Sequence, residues 1–497
     1  MKPILAGLLA LSITLGGVLA AGEPTGTKRT FNVLAYGAKP DGSTLCTESI
    51  QKAIDDCAKS GGGTVFFPEG KFLSGTIFLK SEVSLNLDKN ATLLGSTNIQ
   101  DFPNTPPANV RSFNDGRSQK QLIFGENLQN IAITGDGTID GQGGSFPKSP
   151  RGTPDRPFVI RLVACKNILI ESLNLRNSPF WMQHYLECDD LTVRGIHVFN
   201  HANANNDTID IDGCHRVHME NCDTDSSDDG ITLKCTSLRA CEDVTVTKCV
   251  IRSHAVGIKF GTESIGGYKR IRISDCDVKL SQVTKGEFGG HPNGKGGIAL
   301  MSLDGATMED VQISSIRIEG TISPIYIRLH NRGREAEKGK KKPIGCIRNI
   351  TLSNITATNA ESTGSLISGI EGHPVENITL KNIHITAVGG VKEADVKYPE
   401  DEQAKGSGAG PGMFKIEPAY GILFYQVKGL VLENVITDTK KSDERPGMAF
   451  SEVEDAKLDG KVLNPESPVR PKDVVFIKQF IRPPASAAPA KKESSKL

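Results

Sequence analysis

The sequence predicts an all-β fold, a parallel β-helix that is covered at its N-terminal end by a short helix. Short strand patterns recur along most of the chain, and no helical patterns separate them. The chain has 497 residues, which is long for one compact core and favours several domains or one elongated repeat. Its 52 glycines suit a fold with many turns.

The first 21 residues have the features of a secretory signal peptide. Lys2 gives a positive start, an apolar run follows from about Ile4, and small residues arrive at Ala20 and Ala21. A membrane anchor is the weaker interpretation, because the run is short and interrupted by glycine. We therefore expect a secreted or periplasmic protein.

Residues 22–97 are expected to form the N-terminal cap and the first turns of the β-helix. They contain one helical pattern, for which Thr47 is the expected N-cap and Gly61-Gly62-Gly63 the expected end. Its apolar stripe consists of Ile50, Ala53, Ile54 and Cys57. A solenoid needs its open end covered, and an amphipathic helix is suited to that role.

Residues 98–482 are expected to form the catalytic β-helix. An alternating apolar-polar pattern returns with starts at Ile168, Leu191, Val217, Val244, Ile271, Val311, Ile350, Ile378 and Leu430. The starts at 191, 217, 244 and 271 are 26 or 27 residues apart, and later intervals are wider because loops are inserted. One such turn cannot bury its own apolar face, but stacked turns bury a continuous column. A β-propeller, the main rival, would need about four strands per longer repeat.

Eleven cysteines would permit disulfides outside the cell, and the odd number leaves at least one unpaired. Cys235 and Cys241 flank a short loop and could form a bridge. Cys222, Cys249 and Cys276 instead recur at the same place in successive repeats, which favours stacked small core residues. No spacing of Cys and His indicates a zinc site. The last residues, 483–497, are of low complexity and are predicted to be disordered.

Acidic residues are concentrated where the chemistry is expected. Asp207 and Asp228 are 21 residues apart, which places them on neighbouring turns about 4.8 Å apart. Asp229 follows directly, and His254 comes 26 residues after Asp228, about one more turn along. Carboxyl groups this close raise the pKa of one and keep others ionised, as glycoside hydrolysis requires. Other acids are expected only to cap strands or to face water: Asp189, Asp190, Asp210 and Asp212.

From about Phe31 to about Val435 the chain resembles glycoside hydrolase family 28, which contains polygalacturonases and rhamnogalacturonan hydrolases. The matching segments are FNVLAYGAKPDG, GDGTIDGQG, NSPFW, NNDTIDIDGC and SSDDGITLK. The family's Asn-Thr-Asp signature is represented by Asn205-Asn206-Asp207 and its Asp-Asp pair by Asp228-Asp229. Its Gly-His-Gly signature is represented by Ser253-His254-Ala255.

The resemblance implies a right-handed parallel β-helix and a glycosidase that hydrolyses a galacturonic-acid-linked bond in pectin with inversion. It implies that Asp228 is the general acid and that Asp207 and Asp229 activate the attacking water. His254 would tune the charge and orientation of the acid. The expected partner is a pectic oligo- or polysaccharide, with no metal or other cofactor.

The chain departs from the family at the expected substrate carboxylate. The family's polygalacturonases carry an Arg-Ile-Lys signature there, but Ala299 and Met301 stand in place of its two cations, and neither can pair with a carboxylate. Either other residues bind the sugar, with Lys259, Arg328 and Asn205 as the expected contacts, or the sugar at this subsite is neutral, as rhamnose is.

Several alternatives stay open. A rhamnogalacturonan hydrolase of the same family is one, and a pectate-lyase-like enzyme with calcium is another. A non-catalytic pectin-binding solenoid is the third. Loop insertions at Lys285–Lys295 and Glu393–Pro418 could close one end of a groove and favour exo action. Three ring residues before Asp207 either stack on a sugar or pack the core: Trp181, His184 and Tyr185.

The charge balance argues against two kinds of partner. Lys and Arg number 58, and so do Asp and Glu, so the formal net charge is zero. We therefore expect neither nucleic acid nor an anionic membrane surface as a partner, and we expect a monomer.

Overall fold

Alternating apolar and polar residues form short parallel strands that coil into a β-helix in the computed structural model. The structure describes residues 29–108, 112, 118–148, 155–286, 290–337, 340–396, 398, 410–464 and 474–478. The predicted signal peptide and C-terminal tail lie outside the described residues. Each turn contributes strands to three parallel sheets that run along the solenoid, which confirms the predicted fold class.

Sheet 1 carries the predicted repeat. Its short strands are Thr30–Asn32, Gly63–Phe67, Val83–Leu87, Gln129–Thr134, Lys166–Glu171, Asp189–Arg194, His215–Glu220, Cys241–Thr247, Ala456–Leu458 and Lys461–Leu463. Later turns continue it with parts of the long strands Gly267–Lys279, Thr307–Glu319, Cys346–Ala360, Val375–Gly389 and Ile422–Lys441. Lys461–Leu463 is antiparallel to its neighbour, and the other strands are parallel.

Sheets 2 and 3 complete each turn. Sheet 2 consists of Asp41–Leu45, Gly70–Ser74, Ala91–Gly95, Thr138–Asp140, Asn174–Arg176, His197–Asn200, Asp223–Ser226, Val250–Ser253 and the C-terminal parts of the five long strands. Sheet 3 consists of Ile77–Phe78, Gln121–Glu126, Phe158–Val163, Gln183–Leu186, Ile209–Asp212, Ile231–Cys235, Val256–Ser264, Gly296–Ser302, Ser323–Leu329, Ser365–Ser368, the start of Ile422–Lys441, Met448–Glu454 and Val474–Phe476. A small hairpin pairs Glu335–Glu337 with Lys340–Lys341. Four short 3₁₀ helices lie at Val33–Tyr36, Ile99–Asp101, Gly143–Ser145 and Glu393–Asp395.

The predicted repeat starts stack on one another in sheet 1. Ile168 lies beside Leu191, Leu191 beside Val217, and the same register continues through every later start to Leu430. All of these side chains are buried in one continuous core. Full burial of one such aliphatic side chain stabilises the fold by about 1.5–3 kcal/mol, so this column is a main source of stability.

The capping helix forms at Thr47–Lys59, and its predicted apolar stripe is buried. The expectation that Thr47 is the N-cap is wrong. Cys46 is the N-cap residue, and its side chain makes no capping hydrogen bond. Thr47 is already helical, and its hydroxyl oxygen accepts a hydrogen bond from the backbone amide of Gly75 at 2.8 Å. Long-range contact with the first turns therefore takes the place of local capping.

All eleven cysteines lie in the described residues, and all are free thiols. Cys222, Cys249 and Cys276 are buried, and the Cys249 amide donates to the sulfur of Cys276 at 3.4 Å, which confirms the predicted stack. Cys235 and Cys241 form no bridge, and the thiol of Cys235 donates to the carbonyl oxygen of Gly267 at 2.7 Å.

Candidate active site

The three predicted aspartates lie in turns that lead from sheet 2 into sheet 3. Asp207 comes two residues before the strand that begins at Ile209, and Asp228 and Asp229 come just before the strand that begins at Ile231. Ile209 pairs with Ile231, so the two turns are stacked. One carboxyl oxygen from each aspartate lies within 4.8 Å of the other two. The structure thus brings the three predicted acids together.

Close backbone packing holds these turns in place. A Cβ atom on Gly230 would lie 2.5 Å from the carbonyl oxygen of Gly257 on the next turn, so only glycine fits there. The hydroxyl of Thr208 donates to the carbonyl oxygen of Gly230 at 2.7 Å. The hydroxyl of Ser226 donates to the carbonyl oxygen of Asp228 at 2.8 Å. Neighbouring turns therefore determine where the two adjacent aspartates lie.

Asp229 forms a tight ion pair with Lys259, which lies on the next strand of sheet 3. The amide of Val256 also donates to the Asp229 carboxylate, at 3.3 Å. Burial lowers the pKa of the Lys259 ammonium, but the charges of Asp229, Asp228 and Asp207 together outweigh this effect, and the net pKa lies above its ordinary value. Lys259 is thus a charged partner of a catalytic candidate.

Asp228 is half-buried and has the properties of a proton donor. Burial, followed by the charge of Asp229, raises the pKa of Asp228 to about 6, against the opposing charges of Lys259 and Lys295. The side-chain amide of Asn205 donates to the Asp228 carboxyl at 3.4 Å. Asn205, expected to bind substrate, therefore contacts the candidate acid directly.

Asp207 is buried and belongs to a cluster of charged side chains around Lys234 that was not predicted from the sequence. The ammonium nitrogen of Lys234 lies 3.8 Å from Asp207, 3.4 Å from Asp210 and 3.4 Å from Glu263. It also lies 4.5 Å from the centre of the Trp181 ring. Burial, followed by the charges of Asp210 and Asp228, raises the pKa of Asp207 well above its usual range. Asp207 therefore holds a proton more readily than a simple base would.

The expectation that Asp210 and Asp212 only cap strands or face water is wrong. Both are fully buried. Burial raises the pKa of Asp210 to about 7. Asp212 lies 3.0 Å from the imidazole of His184 and accepts a hydrogen bond from the amide of Thr236 at 2.8 Å. Both lie at outward positions of sheet 3, where side chains of neighbouring strands contact them. The signal for this was the charged Lys234 within the strand ITLKC.

A cavity of about 400 Å³ opens beside Asp228 and Asp229. Its charged wall contains these two acids and two lysines, Lys259 and Lys295. The rest of its lining consists of Ala255, Val256, Thr262, Met301, Gly410, Pro411, Gly412 and Met413. Both predicted loop insertions thus contribute to the cavity, although residues 287–289, 397 and 399–409 lie outside the described residues. Exo action stays a prediction.

His254 lies on the next turn, as predicted, but does not border the cavity. Its amide donates to the carbonyl oxygen of Ser226 at 3.0 Å, and its Nε2 donates to the carbonyl oxygen of Val283 at 2.8 Å. The fully buried ring packs edge-on against His201, with ring centres 5.3 Å apart. A role in tuning Asp228 stays a prediction.

Two further positions bear on substrate binding. Ala299 pairs with Lys259 in sheet 3 and Met301 borders the cavity, so the uncharged stretch does lie beside the site. Arg328 does not border the cavity, and its expected role in substrate binding stays a prediction. It is fully buried, donates to the hydroxyl of Ser368 at 2.6 Å and lies 5.3 Å from the centre of the Phe414 ring. Arg328 thus lies beneath residues 410–414, which we call the covering segment, in a position typical of a structural residue.

The aromatic residues before Asp207 are buried, which favours packing over sugar stacking. Trp181 contacts Phe158 and Phe180 in a separate apolar cluster, and Tyr185 belongs to the main core. His184 contacts Trp181 and Asp212, as described above for the buried acids.

The three aspartates are close enough together to hold a divalent cation, because oxygen ligands within a few ångströms are what such ions prefer. However, Lys259 already pairs with Asp229, and Lys234 lies 3.8 Å from Asp207. These ammonium groups supply the positive charge that a metal would bring. The expectation that no metal is used stays a prediction.

The family model described as glycosyl hydrolases family 28 matches residues 57–405. A probable polygalacturonase of Vitis vinifera is 28% identical over 378 residues, covering 71% of this chain and 74% of the relative. An endo-polygalacturonase of Pectobacterium parmentieri is 25% identical over 410 residues, covering 76% of this chain and 95% of the relative.

The solved structure of a family 28 exopolygalacturonase from Yersinia enterocolitica matches with a TM-score of 0.65. The match is 18% identical and covers 88% of this chain and 79% of that chain, so it supports the fold. The family match extends over most of the chain and includes the turns that carry the three aspartates. The chain therefore belongs to glycosyl hydrolases family 28 and is a glycosidase.

Proposed function

We propose that this glycosidase hydrolyses galacturonic-acid-linked bonds in pectic polysaccharide. The observation that carries the proposal is the convergence of Asp207, Asp228 and Asp229 in a family 28 chain, with Asp228 and Asp229 on the wall of one cavity. Its similar relatives include proteins named polygalacturonase and endo-polygalacturonase. The pectic polymer is the proposed substrate class.

Asp228 acts as the general acid that protonates the leaving oxygen. Its pKa of about 6 keeps the proton on the carboxyl group in mildly acidic solution, which is what this step needs. Its place on the cavity wall allows contact with a bound sugar. General acid catalysis of this kind typically contributes about 10²- to 10⁴-fold to the rate.

Asp229 and Asp207 position the attacking water. Their nearest carboxyl oxygens lie within 4.8 Å, so one water can donate a hydrogen bond of about 2.5–3.0 Å to each. Asp229 is also ion-paired with Lys259, which places a positive charge next to its carboxylate. In the proposal Asp229 is therefore the main base, and Asp207 holds the water in place.

Inversion of configuration rests on family membership and not on the carboxyl separation. The nearest oxygens are closer than the roughly 6.5–9.5 Å typical of the two carboxyl groups in inverting enzymes. Proton NMR of the first product released distinguishes the outcomes. An anomer opposite to that of the cleaved linkage supports inversion, and the same anomer supports retention.

We also propose that the protein is a monomer that acts outside the cytoplasm. The positive and apolar N-terminal segment supports export. In the part of the chain that the structure describes, no helix is both long enough and apolar enough to cross a bilayer. The balanced charge gives no reason to expect nucleic acid as a partner.

Parallel digestion of polygalacturonan and rhamnogalacturonan, with product sizing, tests the substrate. We expect reducing ends from polygalacturonan, no absorbance from unsaturated uronides, and no loss of rate with a chelator. Cleavage of rhamnogalacturonan alone would favour the neutral sugar that the apolar side chain of Met301 also fits. Calcium-dependent formation of unsaturated product would identify a lyase, and binding without turnover would identify a non-catalytic protein.

A further inference from the structure

The cavity contains two ammonium groups, and in the part of the chain that the structure describes only one of them forms an ion pair. Lys259 forms an ion pair with Asp229. The ammonium group of Lys295 lies in the same cavity wall and has no carboxylate within 4 Å among the described residues. Its positive charge is nevertheless close enough to Asp228 to lower the pKa of that carboxyl. Lys295 is therefore a cation beside the candidate acid that has no ion-pair partner in the described ranges of the chain.

The backbone around Lys295 is held firmly against the site. The Lys295 amide donates to the carbonyl oxygen of Ala255 at 2.6 Å, and its own carbonyl oxygen accepts from the amide of Ser323 at 3.0 Å. The preceding Gly294 has a φ of 74°, and a Cβ there would lie 2.9 Å from the carbonyl oxygen of Ser253. This close approach requires glycine. The half-buried lysine thus projects from a positioned backbone rather than from a free loop.

The charges in the cavity favour an anion. Asp229 and Lys259 neutralise each other, and Asp228 carries its proton below a pH of about 6. The ammonium of Lys295 then leaves the cavity with an excess positive charge. A site lined by one sign of charge attracts ligands of the opposite sign.

Part of the cavity lining is apolar. Met301 comes from sheet 3, and Pro411 and Met413 come from the covering segment. These side chains can pack against the C–H face of a sugar ring, whose removal from water is favourable. The carboxylate of a uronate ring that is bound there could then pair with the ammonium group of Lys295.

We propose that Lys295 binds the carboxylate of a galacturonate residue in a subsite whose apolar wall is formed by Met301, Pro411 and Met413. This assignment rests on the proposed function and names the residue that selects a uronate over a neutral sugar. An ammonium group makes charge-assisted hydrogen bonds to a carboxylate, which are stronger than those between neutral groups. The methyl ester of the same sugar is uncharged, so it cannot form an ion pair with the ammonium group and accepts only weaker hydrogen bonds.

The test compares a galacturonate trisaccharide with the same trisaccharide methyl-esterified at its carboxyl groups. We expect the wild-type protein to have a KM about 10- to 100-fold lower for the free acid, which is the effect of one hydrogen bond to a charged group. Lys295→Met should remove this preference by raising KM for the free acid alone. Lys295→Arg should restore most of it. Lys285→Met, an exposed position in the same insertion, serves as the matched control.

An unchanged preference in Lys295→Met would overturn the assignment. A purely electrostatic effect of Lys295 on Asp228 would shift the pH profile but leave the preference intact, and this outcome also overturns it. Calorimetry of the free-acid trisaccharide in an Asp228→Asn background separates this question from catalysis. Tighter binding by the protein with Lys295 than by the protein with Met at this position supports the subsite. This holds even if the wild-type protein fails to hydrolyse polygalacturonan, a result that would refute the proposed function alone. Equal binding, or none, overturns the subsite.

Discussion

The ammonium nitrogen of Lys234 lies 3.8 Å from a carboxylate oxygen of Asp207, and both side chains are almost completely buried. Carboxylate oxygens of Asp210 and Glu263 each lie 3.4 Å from the same ammonium nitrogen. These carboxyls raise the pKa of Lys234 well above its usual range, against the opposing effect of burial. One buried cation thus offsets the repulsion between Asp207, which is proposed to hold the attacking water, and the neighbouring acids.

Replacement of Lys234 is expected to change how the acids hold protons. In Lys234→Met the neighbouring carboxyls lose their nearest positive charge, so their pKa values rise further and deprotonation requires a higher pH. We expect the acidic limb of the profile of kcat against pH to move to higher pH and kcat to fall about 100-fold. Lys234→Arg, which keeps the charge, should retain more activity. An unmoved acidic limb in a folded Lys234→Met protein would contradict this account.

The proposed acid also predicts the alkaline limb. Asp228 must be protonated to donate, and its pKa is raised to about 6, so kcat should fall as the pH rises above about 6. Below that value the acid is in its active form. Measuring kcat across the pH range with saturating substrate locates the limb. A limb at the ordinary pKa of an aspartate, near 4, would show that Asp228 is not raised or is not the acid.

Lys259 and Lys295 should fail in different ways when replaced. Lys259→Met leaves the buried carboxylate of Asp229 without its partner, which impairs activation of water. We therefore expect kcat to fall by about 100-fold or more, with a smaller change in KM. For Lys295→Met the change should appear in KM. Steady-state kinetics on the free-acid trisaccharide distinguishes the two, and a pure KM effect in Lys259→Met would count against its pairing role.

Glu417 provides a test of stability. Glu417 comes shortly after the covering segment in the sequence, and its side chain is buried. Burial raises its pKa to about 8 despite the charges of Arg445 and Arg328. Because the folded pKa lies above the ordinary value of about 4.5, the protonated form stabilises the fold at low pH. This contribution should be lost as the pH rises from about 4.5 through 8, by about 1.4 kcal/mol of unfolding free energy per pH unit.

Glu417→Gln should remove that part of the pH dependence, since glutamine does not titrate. Urea unfolding of both proteins at several pH values measures it. Glu371→Gln, at an exposed position, is a suitable comparison. Parallel stability curves for wild type and Glu417→Gln would show that Glu417 does not titrate as its burial implies.

The fold could be predicted because strand alternation and repeat length act together. A one-residue slip would turn every apolar side chain of a strand away from the core, so the starts such as Leu191 and Val217 could stack in only one way. The same spacing placed Asp207 one turn from Asp228. The acid cluster is therefore a direct consequence of the strand register.

Other features could not be predicted because they depend on contacts between distant segments. Asp210 occupies an outward position of sheet 3, yet it is fully buried beside Lys234 of the next strand. Arg328 is an outward strand residue too, and Phe414, far along the chain, covers it. Threonine is a common N-cap residue, but the hydroxyl oxygen of Thr47 instead accepts a hydrogen bond from the backbone amide of Gly75. Lys295 is one of several loop lysines, and only the cavity distinguishes it from Lys285.

The most direct measurement is the initial rate at which wild-type and Asp228→Asn proteins release reducing ends from polygalacturonan. Asparagine keeps the size of the side chain but cannot donate the carboxyl proton. We predict that the wild-type protein releases reducing ends and that Asp228→Asn is slower by at least about 100-fold, with an unchanged thermal unfolding transition. Near-normal release by the folded Asp228→Asn protein would contradict the account.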